Sequence, residues 1–311
     1  MKIIVTGASG RIGEALIKYL LRHTDFNLVL NYRKETSVPL EATSNKRCDI
    51  VIGDIEESET ITSIFATQAP VLIHLASEIN RSEPEKSWFD SLVNQTQSTV
   101  SIIDYLKSYR YPCHIIFPSS GGTVYYGNQK TPYRENFPVT GCSPYAIHKI
   151  LIENYLKLLS LYNSNITCNV LRISNPYGMN ARCKKKQGFI DILIDRAKNN
   201  LPIDIWSSLD TIRDYIYIDD LNNAILKSVY HINKFQIFNI GSGVGSSLSE
   251  VIACVEKSIQ KKVNFITKWD ENNIFYPRYN VLDISKAKNI LRWTPKYDLA
   301  SGINAILQQR L

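Results

Sequence analysis

Long apolar runs are missing from this sequence: none approaches the ~20 residues that a membrane-crossing helix needs, so no membrane partner is expected. The chain passes from Met1-Lys2 straight into strand-like Ile3-Ile4-Val5, without the apolar stretch and small-residue cleavage site of a secretory signal. A cytoplasmic location is the expectation. Six cysteines, Cys48, Cys113, Cys142, Cys168, Cys183 and Cys254, are scattered with no CxxC pair among them. In a chain of 311 residues that reads as reduced thiols rather than a disulfide framework. The five histidines show no metal-ligand spacing, so no metal is expected. Repeats, low-complexity tracts and long linkers are absent as well. The net charge of +7 has no extended basic tract behind it. Its one cluster, Lys184-Lys185-Lys186, fits a solvated loop or a basic rim that attracts an anionic substrate, and nucleic acid is not an expected partner.

What is present is an apolar content of 44%, ample for a buried core, and an alternation of short apolar runs with longer amphipathic ones. Residues 2–6, 27–31, 49–52, 71–75 and 114–118 read as strands, and 14–21, 88–109 and 145–162 as helices. Strands alternating with helices imply βαβ units around a parallel sheet covered on both faces. The expected fold is α/β, a Rossmann-type doubly wound parallel sheet with a smaller C-terminal substrate-binding lobe. Residues 1–172 with about 213–245 would form the dinucleotide-binding domain. About 173–212 and 246–311 would form the lobe.

The turn Thr6-Gly7-Ala8-Ser9-Gly10-Arg11-Ile12-Gly13 follows the first strand and opens a helix. Glycines there allow a tight turn, close approach of backbone to a pyrophosphate, and close helix–strand packing. The helix N-terminus adds free N–H groups and positive partial charge. Gly7, Ser9, Gly10, Arg11, Ile12 and Gly13 are therefore candidate cofactor contacts. The second strand ends at Asn31-Tyr32-Arg33, where NAD-binding folds carry an acidic residue for the ribose 2′-hydroxyl. Asn31 can bond that hydroxyl without repelling a phosphate, and Arg33 can pair with a phosphate. NAD is the expected cofactor, with NADP open.

Ser143-Pro144-Tyr145-Ala146-Ile147-His148-Lys149 carries the central chemistry. Pro144 suits the first turn of a helix, and Tyr145 and Lys149, four apart, then share a face. A free phenol titrates near ~10. A neighbouring ammonium favours phenolate, which makes the group a usable acid or base near neutrality.

These motifs, with Asp54-Ile55, the His74-Leu75-Ala76 element and the segment Ser119–Gly127, resemble the extended short-chain dehydrogenases/reductases. The match continues through 171–178 (LRISNPYG), 213–220 (RDYIYIDD), 238–243 and 282–287. Sugar-nucleotide epimerases of the UDP-glucose 4-epimerase kind are the members it most resembles. The resemblance implies that Gly7, Gly10, Gly13, Asp54, Ile55, Leu75, Ala76, Asn94, Tyr145 and Lys149 meet the cofactor. It places Asn175, Arg213, Tyr177 and, from a shifted position, Arg278 on a nucleotide-sugar substrate. It also implies a two-fold homodimer built from the 88–109 and 145–162 helices, with Leu92, Ile102, Ile103, Leu106, Leu151, Leu158 and Leu159 on their apolar stripes.

The sequence departs from that pattern at one catalytic position. Gly121 stands where the family has a Ser or Thr, and the alternative register puts Gly122 there. Thr123 and Ser120 are the nearest hydroxyls, with Thr123 favoured. Between Ser119 and Gly127 there is no carboxylate, which excludes the acid/base pair of a sugar dehydratase. The expected activity is C4 epimerisation of a UDP-hexose or UDP-N-acetylhexosamine through a 4-keto intermediate. The alternatives are an NADPH-dependent 4-keto-6-deoxy sugar-nucleotide reductase and a non-catalytic NADP-binding regulator.

Overall fold

The computed structural model describes residues 1–66, 68–76, 88–127, 132–141, 143–179, 188–269 and 277–309. Six strands open the chain: β1 (Lys2–Thr6), β2 (Asn27–Tyr32), β3 (Cys48–Ile52), β4 (Val71–His74), β5 (Cys113–Ser120) and β6 (Ile166–Ile173). With the strand Phe235–Ile240 they form one seven-stranded sheet in the order Phe235–Ile240, β6, β5, β4, β1, β2, β3. The β1–β2, β2–β3, β1–β4 and β4–β5 pairs are parallel.

Successive side chains alternate across the sheet, and both sets are buried. Ile4, Val29, Leu72, Ile115 and Phe117 share one apolar cluster with Ile64, Ile102, Leu106, Ile152 and Leu156 from three helices. Ile3, Val5, Leu28, Leu30 and Ile73, which point the other way, are equally buried. Apolar runs without alternation are what a parallel sheet covered on both sides requires.

The strand order places the functional crevice. From β1 the chain winds outward through β2 and β3, then returns to β4 on the other side of β1. Loops leaving the carboxyl ends of β1 and β4 diverge there, at the switch point where open α/β sheets bind ligands. The glycine turn follows β1, and Leu75-Ala76 follow β4.

The chain divides into two compact units. The first comprises Met1–Ser119, Ser143–Leu171 and Ile225–Ile237; the second comprises Ser120–Cys142, Arg172–Ala224 and Phe238–Leu311. The expected division instead gave 120–142, 213–224 and 238–245 to the dinucleotide domain. Packing accounts for the difference: Tyr125 and Tyr133 stack on each other, and Tyr125 bonds Asn239, all within the second unit. The strand Ile212–Tyr217 is likewise the centre of a four-stranded sheet in that unit. It pairs with Gly245–Ser247 antiparallel and with Tyr279–Asn280 and Asn175–Tyr177 parallel. Among the described residues no helix is long and apolar enough to cross a membrane.

Candidate active site

In the first unit the glycine turn is shaped by close backbone approach. Gly7 has φ +67°, and a Cβ there would lie 2.5 Å from the Ala76 amide nitrogen and 2.6 Å from the Leu75 carbonyl carbon. A Cβ on Gly13 would run into the Gly7 carbonyl oxygen. Gly10 N–H donates to the Gly7 carbonyl at 2.9 Å, closing the turn. Gly10 is also the N-cap of the helix Arg11–His23 and offers no side chain to cap it. The first-turn N–H groups thus get no side-chain cap from the N-cap residue, and a helix N-terminus of this kind suits a dinucleotide pyrophosphate. Ser9, Arg11 and Ile12 line the same turn and are partly exposed.

Most of the other expected cofactor residues stand at or just after the ends of β2, β3 and β4. Leu75 and Ala76 are partly exposed beside Gly7, and Leu75 N–H donates to the Thr6 carbonyl at 3.2 Å. Asp54 closes a local turn by accepting from Glu56 N–H at 3.1 Å, and Ile55 after it is buried. Asn31 is buried at the end of β2, while Arg33 is exposed. The side chain of Asn94 lies outside the described residues.

The helix Pro144–Tyr162 starts where its sequence says it should. Ser143 caps it by accepting from Ala146 N–H, and Pro144 opens its first turn. Tyr145 is partly exposed on this helix, and the Lys149 ammonium sits 5.8 Å from its ring centroid. Lys149 is itself buried; Nζ donates to the Pro118 carbonyl at 3.1 Å and lies 4.6 Å from the Phe117 ring centroid. One turn further on, buried Glu153 accepts from Ser119 Oγ at 2.5 Å. The end of β5 is therefore tied to this helix at two successive residues. Sequence reasoning missed Glu153, although the 145, 149, 153 spacing would have found it.

His74 and His148 complete this neighbourhood. His74 is bracketed by Thr6 Oγ1 at 2.7 Å and Thr99 Oγ1 at 2.9 Å. Burial, reinforced by the Lys149 charge and then by His148, lowers its pKa to about 3. His148 is pushed down to about 3 by burial and then by Lys149. Both imidazoles are neutral at physiological pH.

In the second unit, Gly121–Val124 forms a short helical turn after β5. A Cβ on Gly121 would lie 2.6 Å from Leu282 Cδ1 and 3.0 Å from the Arg172 carbonyl oxygen, so packing explains the missing hydroxyl residue. A Cβ on Gly122 would meet Asn175 Oδ1 at an ordinary 3.6 Å. Asn280 Nδ2 donates to the Gly121 carbonyl at 3.2 Å and holds the turn. The Thr123 hydroxyl is buried without a hydrogen-bond partner, whereas Ser120 is partly exposed and makes no cap bond. A buried orphan hydroxyl costs stability, and at a site it is a group waiting for a ligand.

The substrate residues separate into two kinds. Asn175 bonds the Asp214 carbonyl at 2.8 Å and adjoins Gly122. Arg213 lies opposite Asn280 and Ser246 on neighbouring strands, and its guanidinium opposes the rise that burial imposes on the Tyr133 and Tyr215 phenols. Arg278, exposed and 5.8 Å over the Trp269 ring, precedes the strand that pairs with residues 212–213. Tyr177 is different, and this corrects its expected role on the substrate. It is buried, packs edge-on against Tyr217, and donates to the Asp298 carbonyl at 3.3 Å. Asp214, beside Arg213 in the chain, is spent on the fold. Asp214 is fully buried and accepts from Ser242 N and Oγ, Gly243 N and Leu282 N at 2.7–3.3 Å. Burial still pushes its carboxyl above the usual range.

The parallel sheet, the glycine turn at its switch point and the Tyr145–Lys149 pair on the Pro144–Tyr162 helix define an α/β protein of the dinucleotide-binding class. Residues 3–241 match the NAD dependent epimerase/dehydratase family, and the chain belongs to it. It is 31% identical over 313 residues to dTDP-4-dehydro-6-deoxyglucose reductase of Escherichia coli, covering 98% of this chain and 96% of that one. It is 32% identical over 308 residues to a putative UDP-glucose 4-epimerase of Methanocaldococcus jannaschii, covering 98% and 97%. Its structure is similar to that of the Thermotoga maritima UDP-glucose 4-epimerase with UDP-glucose: TM-score 0.86, 24% identity, 99% and 98% coverage. The chain is an enzyme of this family, and NAD is the cofactor that the family's description names.

Proposed function

We propose that the protein inverts C4 of a UDP-hexose or UDP-N-acetylhexosamine. The observation that carries this reading is the buried Lys149 ammonium, fixed by the Pro118 carbonyl beside the Tyr145 ring. Bound NAD supplies the chemistry of taking a hydride and returning it. Tyr145 takes the C4 hydroxyl proton and gives it back, its phenolate favoured by the Lys149 charge. Thr123 or Ser120 bonds the C4 oxygen, with Thr123 favoured by its unused hydroxyl. Asn175, Arg213 and Arg278 hold the diphosphate, a task suited to guanidinium forks. The loop without carboxylates can assist proton transfer at one carbon but cannot remove water across a neighbouring bond.

A second reading rests on Asn31, a neutral side chain where an NAD-only site carries an acid. It is reduction of a 4-keto-6-deoxy sugar nucleotide, the activity that one relative's name describes. The test supplies UDP-glucose or UDP-N-acetylglucosamine without added cofactor and follows the C4 epimer by NMR. Epimer formation with no net change in nicotinamide absorbance supports the first reading. Failure with both sugars, together with stoichiometric NADPH consumption on a 4-keto-6-deoxy sugar nucleotide, overturns it.

We also propose a two-fold dimer through the Trp88–Lys107 and Pro144–Tyr162 helices. Ile102, Ile103, Leu106 and Leu159 are buried, but Ile147, Tyr155, Leu158, Leu161 and Tyr162 form an exposed apolar set on the Pro144–Tyr162 helix. A monomer by sedimentation at micromolar concentration would contradict it.

A further inference from the structure

We propose that Glu153 is a positioning residue for the Tyr145–Lys149 pair: through the Ser119 hydroxyl it fixes the peptide whose carbonyl holds the Lys149 ammonium. The inference rests on the reading of Tyr145 and Lys149 as the reactive pair, and not on which sugar reaction follows.

The argument starts at the tip of β5. The β4–β5 register ends with Ile73 opposite Ile116. Two residues on, Pro118 has no N–H to give to a ladder, so the strand loses one of its own holds there. The Pro144–Tyr162 helix supplies two others. The Pro118 carbonyl accepts from Lys149 Nζ at 3.1 Å, and Ser119 Oγ donates to Glu153 Oε1 at 2.5 Å. That carbonyl belongs to the peptide joining Pro118 to Ser119, so an anchor on the Ser119 side chain limits how the peptide can turn. If the anchor is lost, the carbonyl is free to swing. The ammonium then loses the acceptor that keeps it 5.8 Å from the Tyr145 ring centroid.

The residue types carry the rest. An O–H···O separation of 2.5 Å is the length of a charge-assisted bond, with the serine as donor and a carboxylate as acceptor. Ser119 and Glu153 are both buried. Lys149 and Glu153 lie one turn apart on one helix face. Among the described residues of the first unit no other lysine, arginine or carboxylate is buried. For stability alone such a bond is dispensable, because apolar groups of the same shape in place of both partners can be nearly neutral. Two buried charges, each bonded to one of two consecutive strand residues, instead fix a geometry. Two further titratable groups feel the Lys149 charge, His148 on its own helix and His74 at the end of β4. Burial keeps both neutral, so neither replaces the tie.

The experiment uses the full-length protein and reads the Tyr145 phenol directly. Ultraviolet difference titration, with the matching Tyr145→Phe protein as the subtracted background, gives the pH at which Tyr145 forms phenolate. In the wild type that pH should lie about one unit or more below the ~10 of a free phenol. The test variant combines Ser119→Ala with Glu153→Leu, which removes donor and acceptor together. Its urea midpoint should stay close to that of the wild type, while its Tyr145 titration moves up by about one unit. Glu153→Gln keeps an acceptor for Ser119 and should titrate like the wild type. A stable double variant with an unmoved titration overturns the proposal, because the tie then serves only the fold. A double variant that does not fold overturns it for the same reason. So does a shift in Glu153→Gln as large as in the double variant, which would assign the effect to charge and not to position. In these cases the wild-type phenol is still lowered, and the reading of the reactive pair stands. A wild-type phenol that titrates near ~10 removes that reading, and the proposal falls with it.

Discussion

The glycine turn after β1 and Gly121 after β5 need their glycines for opposite reasons. At Gly7 and Gly13 the missing side chains let backbone meet backbone, and the following helix has no side-chain cap at its N-terminus. At Gly121 the missing side chain lets Leu282 and the Arg172 carbonyl close onto the turn from within the second unit. The first turn is a cradle and the second is a packing joint. The same contrast extends to the polar residues. Lys149 and the glycine turn in the first unit are the proposed ligand contacts, whereas much of the second unit's motif chemistry is spent on itself. Tyr125 accepts from Arg172 at 2.8 Å and donates to Asn239, Tyr177 fills core, and Asp214 ties three backbone N–H groups and a serine hydroxyl. Sharing a motif therefore does not mean sharing a ligand contact.

The largest expected effect tests whether the chemistry belongs to the first unit. Tyr145→Phe should lower turnover by about 10²–10⁴-fold, the range for loss of a general acid–base group. Cofactor binding should change little, because the phenol and not the ring supplies the proton path. Stopped-time NMR assays of turnover, set against nucleotide titration, separate the two. Turnover near the wild-type level would move the chemistry elsewhere and erase the contrast between the units.

A second, smaller effect comes from protons. Three buried histidines, His74, His114 and His148, belong to the first unit, and burial is the largest cause lowering their pKa values to about 3, about 4 and about 3. An unfolded chain protonates them near ~6.5. Between that value and the folded values the unfolded state binds more protons, so stability falls as pH falls. Each histidine contributes about 1.4 kcal/mol per pH unit in that window and nothing above it. Hydrogen exchange, corrected for intrinsic rates, should show protection in the first unit dropping between pH 7 and pH 5.5. His148→Asn should shallow the slope. A flat profile over that range would show that these imidazoles are not held neutral.

The sheet was legible in the sequence because its strands are short apolar runs buried on both faces, a pattern that needs no tertiary knowledge. All five N-terminal strand expectations hold to within two residues, and the helix expected at 145–162 begins at Pro144. The cofactor turn was legible because its chemistry is backbone chemistry tied to a local order of strand, glycines and helix. The second unit was harder to read. Its sheet joins residues 175–177, 212–217, 245–247 and 279–280, and no local periodicity announces such pairings. For the same reason Tyr177 looked like a substrate contact, and Gly121 looked like a lost catalytic residue. Only the positions of Asp298 and Leu282, more than a hundred residues downstream, reveal what each one does.

The smallest expected effect asks whether the second unit contributes anything beyond packing at its glycine turn. Thr123 Oγ1 is buried and has no partner, unlike the hydroxyls of Ser119 and Ser242, which are engaged. If the hydroxyl served only the fold, evolution of the local packing would have favoured an apolar group of the same shape, because an unsatisfied buried hydroxyl costs about 1–3 kcal/mol. Thr123→Val keeps the volume and the β-branch and removes only that cost. The protein should then be as stable as wild type or up to about 1 kcal/mol more stable, read from urea unfolding. Turnover should move the other way, falling about tenfold, because the proposed hydrogen bond to the C4 oxygen is worth roughly one neutral bond in the transition state. Opposite signs in the two measurements mark a group held at a stability cost for its ligand. Equal turnover in wild type and Thr123→Val would assign the role to Ser120, whose partly exposed hydroxyl also makes no cap bond, and Ser120→Ala should then carry the loss.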